Sequence, residues 1–277
     1  MTTRNIGHRG ARSLAPENTL AALEKAWEIG ADGVEVDVQV SADGRLVIHH
    51  DNTPARTTNA SELFPDRASQ PLTTFQLEEL KTLDAGSWFI DSDPFSQISS
   101  GTISFAELER LYNQQIPTLE DVLFFIKSKQ WWVNLELKKI SKPQEDFPLA
   151  EAVLSVIDQV HIDPDQVALS SFFHPYLERI QQLCPDIEVQ ALIGSRSAGR
   201  NNWGKYTYQT YNANEAYIDQ AQVYKAMEHG CRVNLYTVND PVMMRTYIDW
   251  GVSSLITDYP QTLKKVLEHS PEDSKSR

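Results

Sequence analysis

Glu35 and Asp37 stand two residues apart in an alternating run at residues 34–40, and His49 and His50 follow after the turn-like stretch "SADG". In a strand successive side chains point to opposite faces, so Val34, Val36, Val38 and Val40 share one side while Glu35, Asp37 and Gln39 share the other. Carboxylates gathered on one face are hard oxygen donors suited to Mg²⁺, Ca²⁺ or Mn²⁺. Histidine is the side chain best suited to moving protons near neutral pH. Taken alone, the same alternation also describes an antiparallel strand with one face in water. The pattern recurs in "VNLELK", where Leu135 and Leu137 share one face and Asn134, Glu136 and Lys138 the other. Three carboxylates brought together repel, and at least one is pushed toward its protonated form unless a cation lies between them. The plainer alternative for Glu136 and Lys138 is a structural ion pair.

The elements that must position these residues decide between the readings. Strand-like runs alternate with helical ones along most of the chain. "NIGHRG" (5–10) precedes a helix that Asn18 or Thr19 can cap and Gly30 can end. Further strands are expected at 131–138, 167–172, 188–194, 232–238 and 254–258, with a short one at 208–213. "LVIHHD" follows its predecessor after only "SADGR", too short for a parallel crossover, so the two runs must form a hairpin. The remaining eight strands predict a (β/α)8 TIM barrel. Residues 52–117 are too long for a connecting loop and predict a small inserted subdomain after strand 2. The whole reads as a single domain over residues 1–270 with a polar tail at 271–277.

In such a barrel every strand is covered by helices, so the wet-face reading of residues 34–40 fails and Glu35 and Asp37 point inward. Glu136 and Lys138 come from a neighbouring strand. His8, at the end of strand 1, and His50, returned by the hairpin, arrive at the same mouth, with Arg9 beside His8. Two histidines flanking an acidic cluster suit general acid–base work at a phosphorus or acyl centre, with Arg9 and Lys138 as anion clamps. Phe172 and Tyr236 end strands that face this mouth, whereas His49 points away from His50 and is expected to be structural.

The gross numbers agree with an ordinary globular enzyme: 277 residues, 41% hydrophobic and 23% charged. A net charge of −13, with no run of Lys or Arg, argues against a nucleic-acid partner or stable membrane association. Cys184 and Cys231 form no disulfide framework or metal-ligand spacing, and no apolar leader or spanning segment is seen. A cytoplasmic protein, monomeric or homo-oligomeric, is expected.

With those residues in view, the chain resembles the glycerophosphodiester phosphodiesterases, of the small cytosolic bacterial type. The resemblance is carried by "HRG" (8–10), "APENTLAAL", "VEVDVQVSADGRLVIHHD", "RTT", "LDAGSWF", "IPTLEDVL", "NLELK", "LSSF", "YTVND" and "GVSSLITDYP". It implies a TIM barrel with an insertion between strand 2 and its helix, and one divalent cation on Glu35, Asp37 and Glu136. It also implies His8 and His50 as general acid and base, and Arg9 and Lys138 holding phosphate. The implied reaction releases sn-glycerol 3-phosphate and an alcohol such as choline or ethanolamine. The sequence departs from the family at Tyr236, where Trp is common, and matches it least over residues 200–217, a candidate substrate-facing loop. The nearest alternative is a related barrel enzyme cleaving lysophospholipids; a non-catalytic binding barrel is a third reading.

Overall fold

The computed structural model describes residues 2–195 and 197–269; the tail expected at 271–277 lies outside them. Along the chain run β1 (Arg4–His8), α1 (Leu20–Ile29), β2 (Gly33–Val40) and β3 (Leu46–Ile48). Four short helices follow, α2 (Ala60–Leu63), α3 (Leu77–Lys81), α4 (Ser87–Ser92) and α5 (Phe105–Glu109). Next come α6 (Leu119–Ser128), β4 (Val133–Leu137), α7 (Leu149–Val160), β5 (Val167–Ser171), α8 (His174–Leu183) and β6 (Glu188–Ile193). The chain continues with β7 (Thr210–Asn214), α9 (Gln220–Glu228), β8 (Arg232–Tyr236), α10 (Pro241–Asp249), β9 (Ser254–Thr257) and α11 (Pro260–Glu268).

The sheet order is β1-β9-β8-β7-β6-β5-β4-β2-β3, and a further pairing of β1 with β2 closes it. Every neighbouring pair is parallel except β2–β3. Setting the hairpin strand aside, eight parallel strands make a closed barrel wrapped by helices, a TIM barrel. All of β2 is buried, on both faces, as a strand between helices and barrel interior must be. Val34, Val36, Val38 and Val40 are fully buried and belong to the main apolar core.

Each helix begins and ends where its local chemistry dictates. Thr19, rather than Asn18, caps α1 by accepting a hydrogen bond from the Ala22 amide, and Gly30 closes the helix with a left-handed φ of 82°. Thr118 and Asp121 form a reciprocal capping box at the start of α6. Between β6 and β7 no α-helix forms among the described residues. Trp203, Tyr206 and Tyr211 pack together there instead, with Trp203 stacked on Tyr206 at 5.9 Å. "NNWGKYTYQT" has no helical apolar period, and Gly204 takes a φ of 57°, so aromatic rings cover the barrel where a helix would otherwise lie.

The insertion grows from the hairpin. Val38, Gln39 and Val40 pair with Ile48, Val47 and Leu46 in antiparallel register. At its far end the chain returns to the same place, the Ile48 amide donating to the Pro117 carbonyl and Val47 bridging to Thr118. Between these points α2 and α3 gather about a second apolar cluster that includes Val47, Leu72, Phe75, Leu80 and Ile116, whereas Phe89 of α4 and Leu108 of α5 pack on the main core.

Candidate active site

Strand register builds the acidic centre. In the parallel ladder of β2 and β4, Asp37 lies opposite Glu136, and Glu35 opposite Asn134; on the other side His8 lies opposite Glu35. Glu35, Asp37 and Glu136 thereby bring one ligand oxygen each within 4.8 Å of one another. Glu35 and Asp37 are 4% and 1% exposed. Lys138, just beyond β4, places its Nζ 2.7 Å from Glu136 and 3.2 Å from Asp37. The Glu136–Lys138 ion pair that sequence offered as an alternative is therefore present, as one part of a larger cluster. Arg9 Nε approaches Asp37 at 3.3 Å. Asn18, free of capping duty, donates to Asp37 Oδ2 at 2.8 Å.

The charges are unevenly matched, and Glu35 and Asp37 respond in opposite directions. Burial, then the neighbouring Asp37 and Glu136 charges, push the Glu35 carboxyl well above its usual range. Burial would do the same to Asp37, but Lys138 and Arg9 outweigh it and hold that carboxyl well below. Glu35 Oε2 accepts the Arg9 backbone N–H at 3.2 Å, while Oε1 is buried without any hydrogen-bond partner. A buried carboxylate oxygen left unpartnered in a cluster of three carboxylates suits a hard divalent cation as its missing partner.

Two imidazoles flank this centre, each backed by a carboxylate. His8 Nδ1 lies 2.7 Å from Asp258 Oδ1, and Asp258 follows the last residue of β9, the strand paired with β1. His50 Nδ1 lies 2.6 Å from Asp51 Oδ1. A carboxylate at Nδ1 holds the proton there and leaves Nε2 as the working nitrogen. His8 Nε2 is 4.0 Å from Glu35, beyond hydrogen-bond reach. Burial, helped by the Arg9 charge, lowers the His8 pKa against the pull of Asp258. His49 turns away as expected: it is 5% exposed, and its Nε2 sits 3.1 Å from the Thr53 carbonyl.

Arginines brace the rim. Glu17, in the loop before α1, receives Arg9, Arg12 and Arg56 at 2.8, 2.8 and 2.7 Å. Burial opposes ionisation of this carboxyl, but Arg9 and then Arg56 outweigh it and carry its pKa far below the usual range. Arg56 also binds Asp51, so Glu17 and Asp51 tie the hairpin carrying His50 to the loop carrying Arg9. His8, Arg9, Glu35, His50, Asn134, Glu136, Lys138, Phe172 and Tyr236 together line a cavity of about 130 Å³. Of the residues proposed from sequence only Asp37 does not line this cavity; it pairs with Lys138 at 3.2 Å and stands in the acidic cluster with Glu35 and Glu136. Phe172 and Tyr236 meet edge to face at 6.1 Å.

The comparisons with known proteins follow this geometry. The family model described as the glycerophosphoryl diester phosphodiesterase family matches residues 8–262. The chain belongs to that family. A glycerophosphodiester phosphodiesterase of Caldanaerobacter subterraneus is 32% identical, over 95% of this chain and 97% of its own. One from Bacillus subtilis is 30% identical over 94% of this chain and 85% of its own. Among solved structures, a phosphodiesterase of Oleispira antarctica in complex with the product sn-glycerol-3-phosphate superposes with a TM-score of 0.77 at 28% identity, covering 97% of this chain and 98% of that one. The chain is accordingly a glycerophosphodiester phosphodiesterase-family enzyme. The family match opens on His8 and runs past Asp258, so the two ends of one hydrogen bond nearly bound it.

Sequence reasoning assigned no site role to Asp258, Asp51 or Glu17, and read Asn18 only as a possible helix cap. Asp51 stands beside His50 and could have been found by asking what would orient an imidazole. Asp258 was reachable from barrel closure, which puts the end of the last strand beside the first. Glu17 and Asn18 carried no signal beyond lying in the family-like stretch "APENTL".

Proposed function

We propose that this enzyme cleaves glycerophosphodiesters to sn-glycerol 3-phosphate and an alcohol, with His8 and His50 as general acid and base. The observation that carries the reading is the pair of carboxylate-backed imidazoles opening onto one pocket beside three converging carboxylates. Glu35, Asp37 and Glu136 would hold one divalent cation, Mg²⁺ or Ca²⁺, with Mn²⁺ also suited to such oxygen donors. When bound, that ion would supply positive charge to the phosphoryl oxygens, stabilising the negative charge that develops there.

The chain's own residues account for the remaining steps. Arg9 and Lys138 hold the phosphate, and both keep their charge because the carboxylates around them outweigh burial and raise their pKa values. One histidine takes the proton from the attacking hydroxyl as its oxygen bonds phosphorus. The other gives a proton to the departing alkoxide as the second P–O bond breaks. Asp258 and Asp51 keep each ring in the tautomer and orientation that this needs. Phe172 and Tyr236 line the wall along which the alcohol arm lies.

We read residues 1–270 as one catalytic domain, with an insertion at 52–117 that supplies Arg56 to the mouth. We place the protein in the cytoplasm, monomeric or self-associated, acting on small soluble diesters. No described helix is long and apolar enough to cross a membrane, and both cysteines are free.

The test is release of sn-glycerol 3-phosphate from glycerophosphocholine by purified protein with Mg²⁺, Ca²⁺ or chelator, beside His50→Ala. Release is expected to need the cation and to fall roughly 10²–10⁴-fold in the variant. Turnover of a lysophospholipid but of no glycerophosphodiester would move the enzyme to the lipid-cleaving alternative. Inactivity on both would leave a binding barrel.

A further inference from the structure

The catalytic cavity opens into a second, larger chamber of about 990 Å³, with which it shares His8, Arg9, His50, Phe172, Tyr236 and Thr237. The inner space is filled by a phosphoryl group and little more, so an arm of any diester must lie in the chamber, and the roomier space suits the arm that varies. Its charged lining is mostly self-neutralised. Arg12 is paired with Glu17 and Asp258, and Arg56 with Glu17 and Asp51. Asp51 and Asp258 also each hold a histidine.

Glu215 is the exception. It follows β7 directly, one residue past Asn214, which pairs with Tyr236 in the β7–β8 register, and it begins the short 3-10 turn Glu215–Tyr217. It lines the chamber, half-buried, beside Ala216 and Tyr217. Among the described residues its side chain accepts no hydrogen bond and meets no cation. Burial, and then the like charge of Asp240, push its pKa up to about 7. A half-buried carboxylate without a counter-charge, facing a substrate chamber with three aromatic rings, is short of one partner: a ligand cation.

We propose that Glu215, with the rings of Tyr217, Tyr236 and Phe172 lining the same chamber, selects diesters whose leaving alcohol carries a positive charge. The recognised chemistry is an ammonium, primary or quaternary, on the alcohol arm. The carboxylate supplies the opposite charge, and the rings offer their negative faces to N-methyl groups. The paired arginines contribute no net repulsion, since each is already matched by carboxylates. This inference rests on the diester-hydrolase reading above and adds to it a specificity residue in the segment that resembles the family least.

The experiment compares kcat/KM for glycerophosphocholine and for uncharged-headed glycerophosphoglycerol in wild type, Glu215→Gln and Glu215→Lys. The wild-type ratio is expected to favour choline at least about tenfold, the worth of one charge-assisted contact. It should fall close to one in Glu215→Gln and below one in Glu215→Lys. Because each protein is judged by a ratio, lost folding lowers both rates and leaves the readout intact. A wild-type ratio near one, or a ratio unmoved by both substitutions, overturns the proposal while leaving diester hydrolysis standing. No sn-glycerol 3-phosphate from either substrate with wild type overturns the underlying reading and this one with it.

Discussion

Asp258 touches no reacting atom in the proposed mechanism, yet His8 is oriented through it. Replacing it with Asn keeps the shape and removes the charge that fixes the Nδ1 proton. Asp258→Asn is expected to lower kcat about 10²-fold or more with a much smaller change in KM. A variant whose KM alone moved would place Asp258 in substrate binding instead. Glu17 makes a different kind of prediction. Its folded pKa lies far below the usual value of about 4.3, so the stability it contributes is complete above that value and drains away as pH falls through and below it. Glu17→Gln leaves three arginines around a neutral group and should cost about 3–5 kcal/mol at pH 7. The gap between the denaturant midpoints of wild type and variant should stay constant from pH 7 to about 5 and narrow steadily below about 4.3; a gap independent of pH would refute the electrostatic account. At this scale the residues doing chemistry were legible because Glu35, Asp37, Glu136, His8 and His50 are of unusual type for strand interiors and ends. Their partners were not, because Glu17 and Asn18 reach the site through a loop path that no period encodes.

Among the elements, the passage from β1 to α1 is tightly constrained. Gly10 has a φ of 87°, and a Cβ there would meet the Ala22 backbone and side chain at 2.6 Å. Gly10→Ala therefore combines left-handed strain with overpacking and is expected to destabilise by on the order of 3 kcal/mol. Because Arg9 and His8 directly precede it, activity per folded molecule should fall as well. Thermal unfolding together with turnover corrected for the folded fraction checks both; a variant of wild-type stability would mean that α1 can retreat. Most strands and helices were readable from period and caps: the β2 valines, the Gly30 stop and the Thr118–Asp121 box all behaved as local chemistry requires. The helix-free stretch between β6 and β7 shows where the repeat cannot be extended by analogy. Whether a helix or an aromatic patch covers a strand depends on packing across Trp203, Tyr206 and Tyr211, contacts that become visible only in three dimensions.

At the level of the whole molecule, the acidic centre links ligand binding to folding. A cation that binds the assembled carboxylates but not the unfolded chain stabilises the protein by RT ln(1 + [L]/Kd), about 2.7 kcal/mol at a hundredfold excess over Kd. The melting temperature should rise on titrating Mg²⁺ or Ca²⁺, return with chelator, and lose its response in Glu136→Gln. A melting temperature indifferent to all divalent cations would remove the metal from the account. The overall architecture was legible because the alternation of strands and helices, broken only by the short hairpin link and the run at 52–117, admits few closed solutions.

That hairpin has an evolutionary consequence. The insertion leaves and re-enters the barrel at adjacent points, Ile48 and Pro117, and its first half has its own apolar cluster, while His50 lies only two residues past the exit, before that cluster begins to draw on the insertion's helices. The part of the insertion that packs on that cluster is therefore exchangeable. Lineages, or an engineer, could replace what lies between Arg56 and Pro117 to admit new substrates while inheriting the reaction centre unchanged.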